Sequence, residues 1–406
     1  MRHIVESVFL VLLLGLGVTN LMSAQSKIIF VKQNAIGKND GSSWEDAFVN
    51  LDSIFNKEEK DLEVWITEGV YSGGGEILWA FSGKNVSIYG GFAGIESSKS
   101  ERDFQKHITV IDGSKRLNVL RFQNGVYRLD GLIIKNGTAK GLNIGPDLYD
   151  CEYWGPAVFS CRGGGIHVYS DSVDKPCNLT IKNCIIRKNS ALDGGGIYVD
   201  SNQGGICGLI MDSCEVRENY AEEFGGGIVI SMGKAEQLPV RITNTIIEKN
   251  NSGYDVGGLV FGSDNDSTII ELINCKVSQN KALVIGGVSL SGSLKYPARI
   301  ENCQFSDNYA TNFNGGGIGA LSVGYTEVRN CIFLNNTGWD GNFYVRTSNF
   351  TNCVFAKNKS YLPEGNLFEI FEWGIPPPNE RSNFYNCSFY DETKGAKHLF
   401  PLIGQN

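Results

Sequence analysis

The chain is poor in the residues that build most reactive centres. Its 406 residues include four histidines, four methionines and ten prolines. Beyond His3 only His107, His167 and His398 remain, too scattered in sequence to predict a metal site. No Gly-x-Ser-x-Gly nucleophile turn, zinc-type cluster or phosphate-binding loop occurs. Lysine and arginine total 36 against 44 acidic residues, a net charge of −8 with no basic stripe, so nucleic acid is not an expected partner. After residue 24 no apolar run is long enough to span a bilayer as a helix. Helical periodicity is scarce as well, which argues against a helix bundle or a doubly wound sheet.

Glycine is plentiful, at 50 residues, and a phrase repeats. Asn302-Cys303-Gln304-Phe305-Ser306-Asp307-Asn308 returns as Asn183-Cys184 to Asn189, Ser213-Cys214 to Asn219, Asn244-Thr245 to Asn250, Asn274-Cys275 to Asn280, Asn330-Cys331 to Asn336 and Asn352-Cys353 to Asn358. A partial copy, Asn386-Cys387, closes the series. The final asparagines step by 30, 31, 30, 28, 28 and 22 residues, the spacing of a stacked repeat.

Parity gives the cross-section. With the cysteine position as zero, apolar residues fall at −5 and −3 (Leu179 and Ile181, Leu209 and Met211), then at 0 and +2. Strand alternation has period two, so the jump from −3 to 0 marks a bend, and the bend holds the asparagine at −1. Asparagine tolerates left-handed backbone and can bond to its copy one winding away. The asparagine at +5 follows another such jump and is expected at a second bend. Glycine runs (Gly163 to Gly165, Gly194 to Gly196, Gly225 to Gly227, Gly257-Gly258, Gly286-Gly287, Gly315 to Gly317) then open a third strand, with inward pairs such as Ile197 and Val199 and, in a later winding, Ile318 and Ala320. Three strands per winding make a three-sided coil of about nine parallel turns. Cys184, Cys214, Cys275, Cys303, Cys331, Cys353 and Cys387 form one file, expected as buried thiols because neighbours in a file point the same way. Cys151 and Cys161 bracket an insertion at about residues 138–162 and are candidates to close a loop. Cys177 and Cys207 sit on adjacent turns and are candidates to pair. Arg241, Glu271, Arg299 and Glu327 alternate in sign at position −4, with Glu301 and Arg329 at −2, as parallel stacking would exploit.

Residues 1–24 read as a secretory signal: Arg2 and His3, an apolar run from Val8 to Val18, and a polar stretch ending at Ala24. Residues 25–80 are expected to cap the coil. Trp44, Ala47, Phe48, Leu51, Ile54 and Phe55 recur at helical spacing and predict one amphipathic helix laid over the open end. The coil then occupies 81–390, and 391–406 form a terminal cap or tail.

The alternation of Gly-Gly-x-Ile-like runs with Phe-x-x-Asn (Phe305 to Asn308, Phe333 to Asn336, Phe355 to Asn358) resembles the repeats of chlamydial polymorphic outer-membrane proteins. More broadly, the chain resembles the pectin-lyase-like right-handed parallel β-helix superfamily. The phrases from Asp40 to Phe48, Glu68 to Tyr71 and Ile88 to Gly94 are similar to the opening of exported β-helix proteins of Bacteroidetes. The resemblance implies an all-β, single-stranded right-handed β-helix. It also implies export from a Gram-negative cell, to the periplasm, the medium or the cell surface.

In enzymes of this fold acidic and basic residues converge on outward positions of one sheet. Here His167, Tyr198 and Asp200 are the candidates for acid and base, with Tyr169 as a sugar platform. Their structural alternative is aromatic pairing between turns. No partner cation for an acidic substrate is visible on those strands. Asp193, Glu222, Glu223 and Asp255 precede successive glycine runs; Asp193, Glu223 and Asp255 are the candidates to hold calcium as a cofactor, against the alternative of a solvated edge. Two functions follow: an adhesin-like protein that binds a polysaccharide or cell-surface component without catalysis, or a polysaccharide lyase or glycoside hydrolase.

Overall fold

Successive windings lay like residues over like in the computed structural model. It describes residues 26–55, 57–72, 79–116, 118–139, 143–145, 148–149, 161–201, 204–235, 237–263, 268–293, 295–311, 318–339, 341–360, 368–370 and 382–390. The expected signal, the terminal tail, Cys151, most of the insertion and Gly315 to Gly317 lie outside them.

Among the described strands every pairing is parallel except Asn143–Gly145 with Leu148–Tyr149, inside the insertion. The first sheet stacks twelve strands, among them Gly125–Asp130, Cys177–Lys182, Cys207–Asp212 and Val240–Thr243. Its inward file runs Ile181, Met211, Ile242, Leu272, Ile300, Val328, Phe350, Phe384. The second sheet carries the file Ile186, Val216, Ile247, Val277, Phe305, Phe333, Phe355, Phe389. Its phenylalanine rings stack 4.8 to 4.9 Å apart, which is the spacing of neighbouring strands. The third, glycine-led sheet has ten strands, including Leu120–Gln123, Ile166–Tyr169 and Ile197–Asp200. Between the second and third sheets a fourth, narrow series of strands such as Ser190–Asp193 and Tyr220–Phe224 was not foreseen. Among the described residues one continuous apolar core runs through the coil from Ile29 to Phe355, with two smaller apolar clusters beside it.

The first sheet exceeds nine strands because the irregular amino-terminal segments join it. Lys27–Val31 pairs with Asp61–Thr67, which pairs with Asn85–Phe92, so these strands are rungs themselves. The amphipathic helix shrinks to one turn, Asp52–Phe55. Phe48 instead bridges Val31, exchanging hydrogen bonds with Phe30 and Lys32 at 2.9 and 2.8 Å, which uses the backbone groups a helix would need. Trp44 packs outside the first sheet, 4.7 Å from the Phe30 ring, beside Trp65 and Phe92.

The thiol file is buried from Cys184 to Cys353, with Cys387 partly exposed at the end. Each sulfur from Cys275 to Cys387 points its weak donor at a backbone carbonyl of the preceding winding, as Cys303 does to Leu272 O at 3.3 Å. Thr245 takes one place in the file and turns its hydroxyl to Thr243 O.

Both asparagine positions form ladders, of opposite polarity. At −1, Asn183, Asn244, Asn274, Asn302, Asn330, Asn352 and Asn386 have φ between 49° and 55°. From Asn386 back to Asn244 each amide donates to the winding before it, and Asn244 ends the run on the Asp212 carboxylate at 2.8 Å. At +5 the amides of Asn189, Asn219, Asn250, Asn280, Asn308 and Asn336 donate to the winding after, at 2.9 to 3.1 Å. These asparagines are buried, and the left-handed residue of the second bend is their predecessor: Lys188, Glu218, Lys249, Gln279, Asp307, Asn335 and Lys357. The bend thus falls at +4, so that the amide one place later can point inward.

The charged file pairs partly between windings. Glu271 meets both Arg241 and Arg299, whereas Arg299 with Glu301 and Arg329 with Glu327 pair within one winding. One inward assignment shifts. A bulge after Ile318 puts Leu321 and Val323 in line with Val288 and Leu290, and Ile318 bridges Ile285 outside that file.

Candidate functional site

Three strands of the glycine-led sheet build the predicted cluster. Leu120, Phe122, Ile166, Val168, Ile197 and Val199 alternate into the core, which turns the intervening residues to the other face. Register then aligns Arg121, His167 and Tyr198 in one file and Gln123, Tyr169 and Asp200 in the next. The four candidates therefore meet: the His167 ring stacks on Tyr169 at 5.3 Å and stands edge-on to Tyr198 at 5.8 Å.

Two arginines complete the cluster, and sequence reasoning missed both. Arg162 donates to Asp200 Oδ2 at 3.0 Å, lies 3.4 Å from Asp193 Oδ2, and covers the Tyr198 ring at 4.9 Å. Arg121 donates to Asn118 Oδ1 at 2.7 Å, and Asn118 in turn holds Gly163 O at 2.7 Å. Arg121 was legible in principle, since it is the outward residue between inward Leu120 and Phe122. Arg162 was not, because it stands at the end of the insertion, outside any strand parity.

Most of the cluster is withdrawn from solvent. His167 is 0 % exposed, Asp200 1 % and Tyr198 4 %; Tyr169 is half-buried. Burial raises the Tyr198 hydroxyl well above the ordinary phenol range, raises that of Tyr169 as well, and lowers Arg121. Asp193, buried beside Arg162 with Glu223 adding repulsion, is pushed up to about 6. Among the described residues the arrangement is a polar island in which His167, Tyr198 and Asp200 are covered and Tyr169 keeps part of its side chain open.

The residues of the expected calcium edge lie on neighbouring windings: Asp193 is paired with Arg162 and feels the Glu223 charge, Glu222 is exposed, and Asp255 donates its backbone N–H to Glu223 O at 2.9 Å. Among the described residues no group of three or more His, Cys, Asp or Glu side chains is placed to hold a metal. Cys161 is disulfide-bonded, while its sequence-proposed mate Cys151 lies outside the described residues. Cys177 and Cys207 do sit opposite each other on adjacent strands, but as free thiols. In-register parallel neighbours send their Cβ bonds the same way, and each sulfur turns instead to a carbonyl, Phe122 O and Asp200 O respectively.

A second arrangement lies on the outside of the narrow strands. Tyr220, Asn251, Lys281, Tyr309, Thr337 and Lys359 follow one another in register, so that rings, amide and ammonium groups line roughly 24 Å of the rod at one per winding. Tyr220, Asn251, Lys281 and Lys359 are exposed, and Lys281 lies 5.7 Å from the Tyr309 ring.

Comparison with known proteins gives the following. A family model described as "Right handed beta helix region" matches residues 69–299. No curated protein matches the sequence. Among solved structures, a pectate lyase aligns at 14% identity and a TM-score of 0.46, covering 85% of this chain and 79% of its own. The pectin methylesterase of Aspergillus niger aligns at 12% identity and 0.34, covering 91% and 86%. A family 28 exopolygalacturonase of Yersinia enterocolitica aligns at 13% and 0.21, covering 91% and 78%. Likeness of this degree carries no statement about activity.

Proposed function

The chain belongs to the right-handed β-helix family, and from that membership we propose that it is an exported, non-catalytic rod that binds a glycan or another cell-surface component along its outside. The observation that carries this reading is the withdrawal of His167, Tyr198 and Asp200 from solvent, with Asp200 already held by Arg162. A general base must come within about 3.2 Å of the proton it removes, and a fully covered imidazole does not. The exposed file from Tyr220 to Lys359 supports binding, since tyrosine offers an apolar face with a polar tip and the neighbouring amides and ammonium groups offer donors. The pattern of residues 1–24 supports export, and among the described residues no helix is long and apolar enough to cross a membrane.

The test is electrophoresis of the full chain through gels carrying a panel of neutral and acidic polysaccharides, with parallel assays for unsaturated and reducing ends. Retardation without cleavage is expected, weakened by Tyr220→Ala and Tyr309→Ala. Release of sugar ends that His167→Ala or Tyr198→Phe abolishes would instead establish the lyase or hydrolase reading, for which the cluster supplies Arg121 and Arg162 as cations.

A further inference from the structure

A second polar site lies on the first sheet, whereas the cluster just described lies on the third. Tyr89, Lys99, Ser100, Arg102, Phe104, Arg128 and Asp130 line an open groove of about 600 Å³. Three cations surround one ring: Lys99 lies 4.2 Å from the Tyr89 centroid, Arg102 5.3 Å and Arg128 5.7 Å.

These cations have different duties. Arg102, with 11 % of its side chain exposed, is structural: it bonds Gly90 O at 2.9 Å, Asp130 O at 3.2 Å and the Asp130 carboxylate at 2.6 Å. Asp130 also accepts from Asn183 at 2.8 Å, and these bonds keep it below the ordinary carboxylate range although burial opposes them. Arg128 adds a second guanidinium at 2.8 Å to a carboxylate that Arg102 already neutralises. Its Nε is buried with no hydrogen-bond partner, and about a third of the side chain stays open to the groove. Lys99 pairs with Glu63 at 2.9 Å and stays 40 % exposed; burial works against its charge, but Glu63 and Tyr89 hold it protonated. Three cations thus meet two carboxylates, leaving a positive excess at a concave site in a chain whose net charge is −8.

We propose that this groove binds an oxyanion, a carboxylate or a sulfate, carried on a saccharide. Arg128 and Lys99 supply the charge-assisted hydrogen bonds, and Ser100 on the rim supplies a hydroxyl. The carrier rests on the glycan-binding reading above; the anion preference rests on the groove.

Titration calorimetry of the full chain with hyaluronan octasaccharide (carboxylate only), dextran sulfate (sulfate only) and neutral dextran tests it. Saturable binding of a charged probe is expected, falling as salt rises, and the arm that binds identifies the oxyanion. Arg128→Gln and Lys99→Gln should each weaken it about tenfold, the loss of one charge-assisted bond. Arg128→Lys should restore most of the affinity, and Lys276→Gln, an equal charge change on an exposed strand residue elsewhere, should stay within about twofold. Thermal melts check that each variant is folded, and the largely exposed Lys99 keeps the test valid should Arg128→Gln unfold. Binding of dextran but of neither charged probe would overturn the anion site and leave glycan binding standing. Silence of all three would overturn the anion site, and a blank polysaccharide panel would remove the binding reading too. A Lys276→Gln loss equal to that of Arg128→Gln would reduce the effect to general attraction and overturn the site.

Discussion

Replacing Asn280 by alanine should be among the most damaging single changes to this protein. The Asn280 amide donates to Asn308 Oδ1 at 3.1 Å and to Ile247 O at 2.9 Å, and its oxygen accepts both the backbone N–H and the side-chain amide of Asn250 at 3.0 Å. All four bonds are buried. At a net value of about 1 kcal/mol each, with an added penalty for the stranded Asn250 donors, Asn280→Ala should cost about 4–6 kcal/mol. Asn302, at −1, makes two exposed amide bonds, at 3.2 Å each, and has φ of 54°. Its alanine variant loses bonds that water replaces and gains left-handed strain, about 1–2 kcal/mol in all. Urea unfolding measures the contrast, with hydrogen exchange at the Asn250 amide as a local probe, since a stack held by neighbours can open winding by winding.

Asn280→Asp adds a sign. One carboxyl oxygen would face Asn308 Oδ1 and Ile247 O, two acceptors, so only the protonated acid fits. Its folded pKa then lies above the unfolded value of about 3.9; the associated stability is full below that value and is lost as pH rises through the folded pKa. The aspartate variant should therefore gain on the alanine variant as pH falls. If Asn302→Ala proves as costly as Asn280→Ala, or the pH trend runs the other way, the inner ladder is not what holds the windings in register.

Other outcomes follow from the same coordinates. Burial pushes the Cys177 and Cys214 thiols up to about 12 and holds Cys184 and Cys207 well above the ordinary thiol range, so iodoacetamide at pH 8 should leave these four untouched until the chain is denatured, and Cys387, partly exposed, should be labelled before them, as read by mass spectrometry. Asp193 is raised to about 6, chiefly by burial; its share of stability is present below pH 4 and lost through pH 6, so Asp193→Asn should flatten the stability profile between those values in pH-dependent melts. A methyl group on Gly195 would stand 2.3 Å from Tyr220 O and 2.6 Å from Gly226 O, whereas on Gly262 it would meet nothing within 4 Å. Gly195→Ala should cost about 2–3 kcal/mol and Gly262→Ala change stability by less than about 0.5, by urea midpoint.

The rod was legible in the sequence because its regularity is chemical. Cysteine, asparagine and glycine each recur where one geometry demands them, so the thiol file and the left-handed −1 position could be read from spacing. The second bend was read one residue late. Its left-handed residues, from Lys188 to Lys357, share only a polar, mostly exposed character, and the conspicuous asparagine beside them is the inward partner. The helix over Trp44 to Phe55 failed because helical spacing also describes a loop that drops Phe48 onto one strand and Trp44 onto the outside of another. At the cluster, parity brought His167, Tyr169, Tyr198 and Asp200 together correctly, but alternation along a strand says nothing of what lies over the outer face. Burial and the Arg162 pairing were therefore invisible until the coil was built.

The opposed polarity of the amide ladders bears on how such a protein can change length. One file hands its protons toward the carboxy terminus and the other toward the amino terminus, so an inserted winding adds a donor and an acceptor at each seam and leaves both neighbours matched. Windings of 22 and of 31 residues already coexist, with the surplus spent in loops. Duplication or loss of a whole unit is thus the mildest large edit this architecture admits, and a reach suited to partners of differing size can evolve without redesign of the interior.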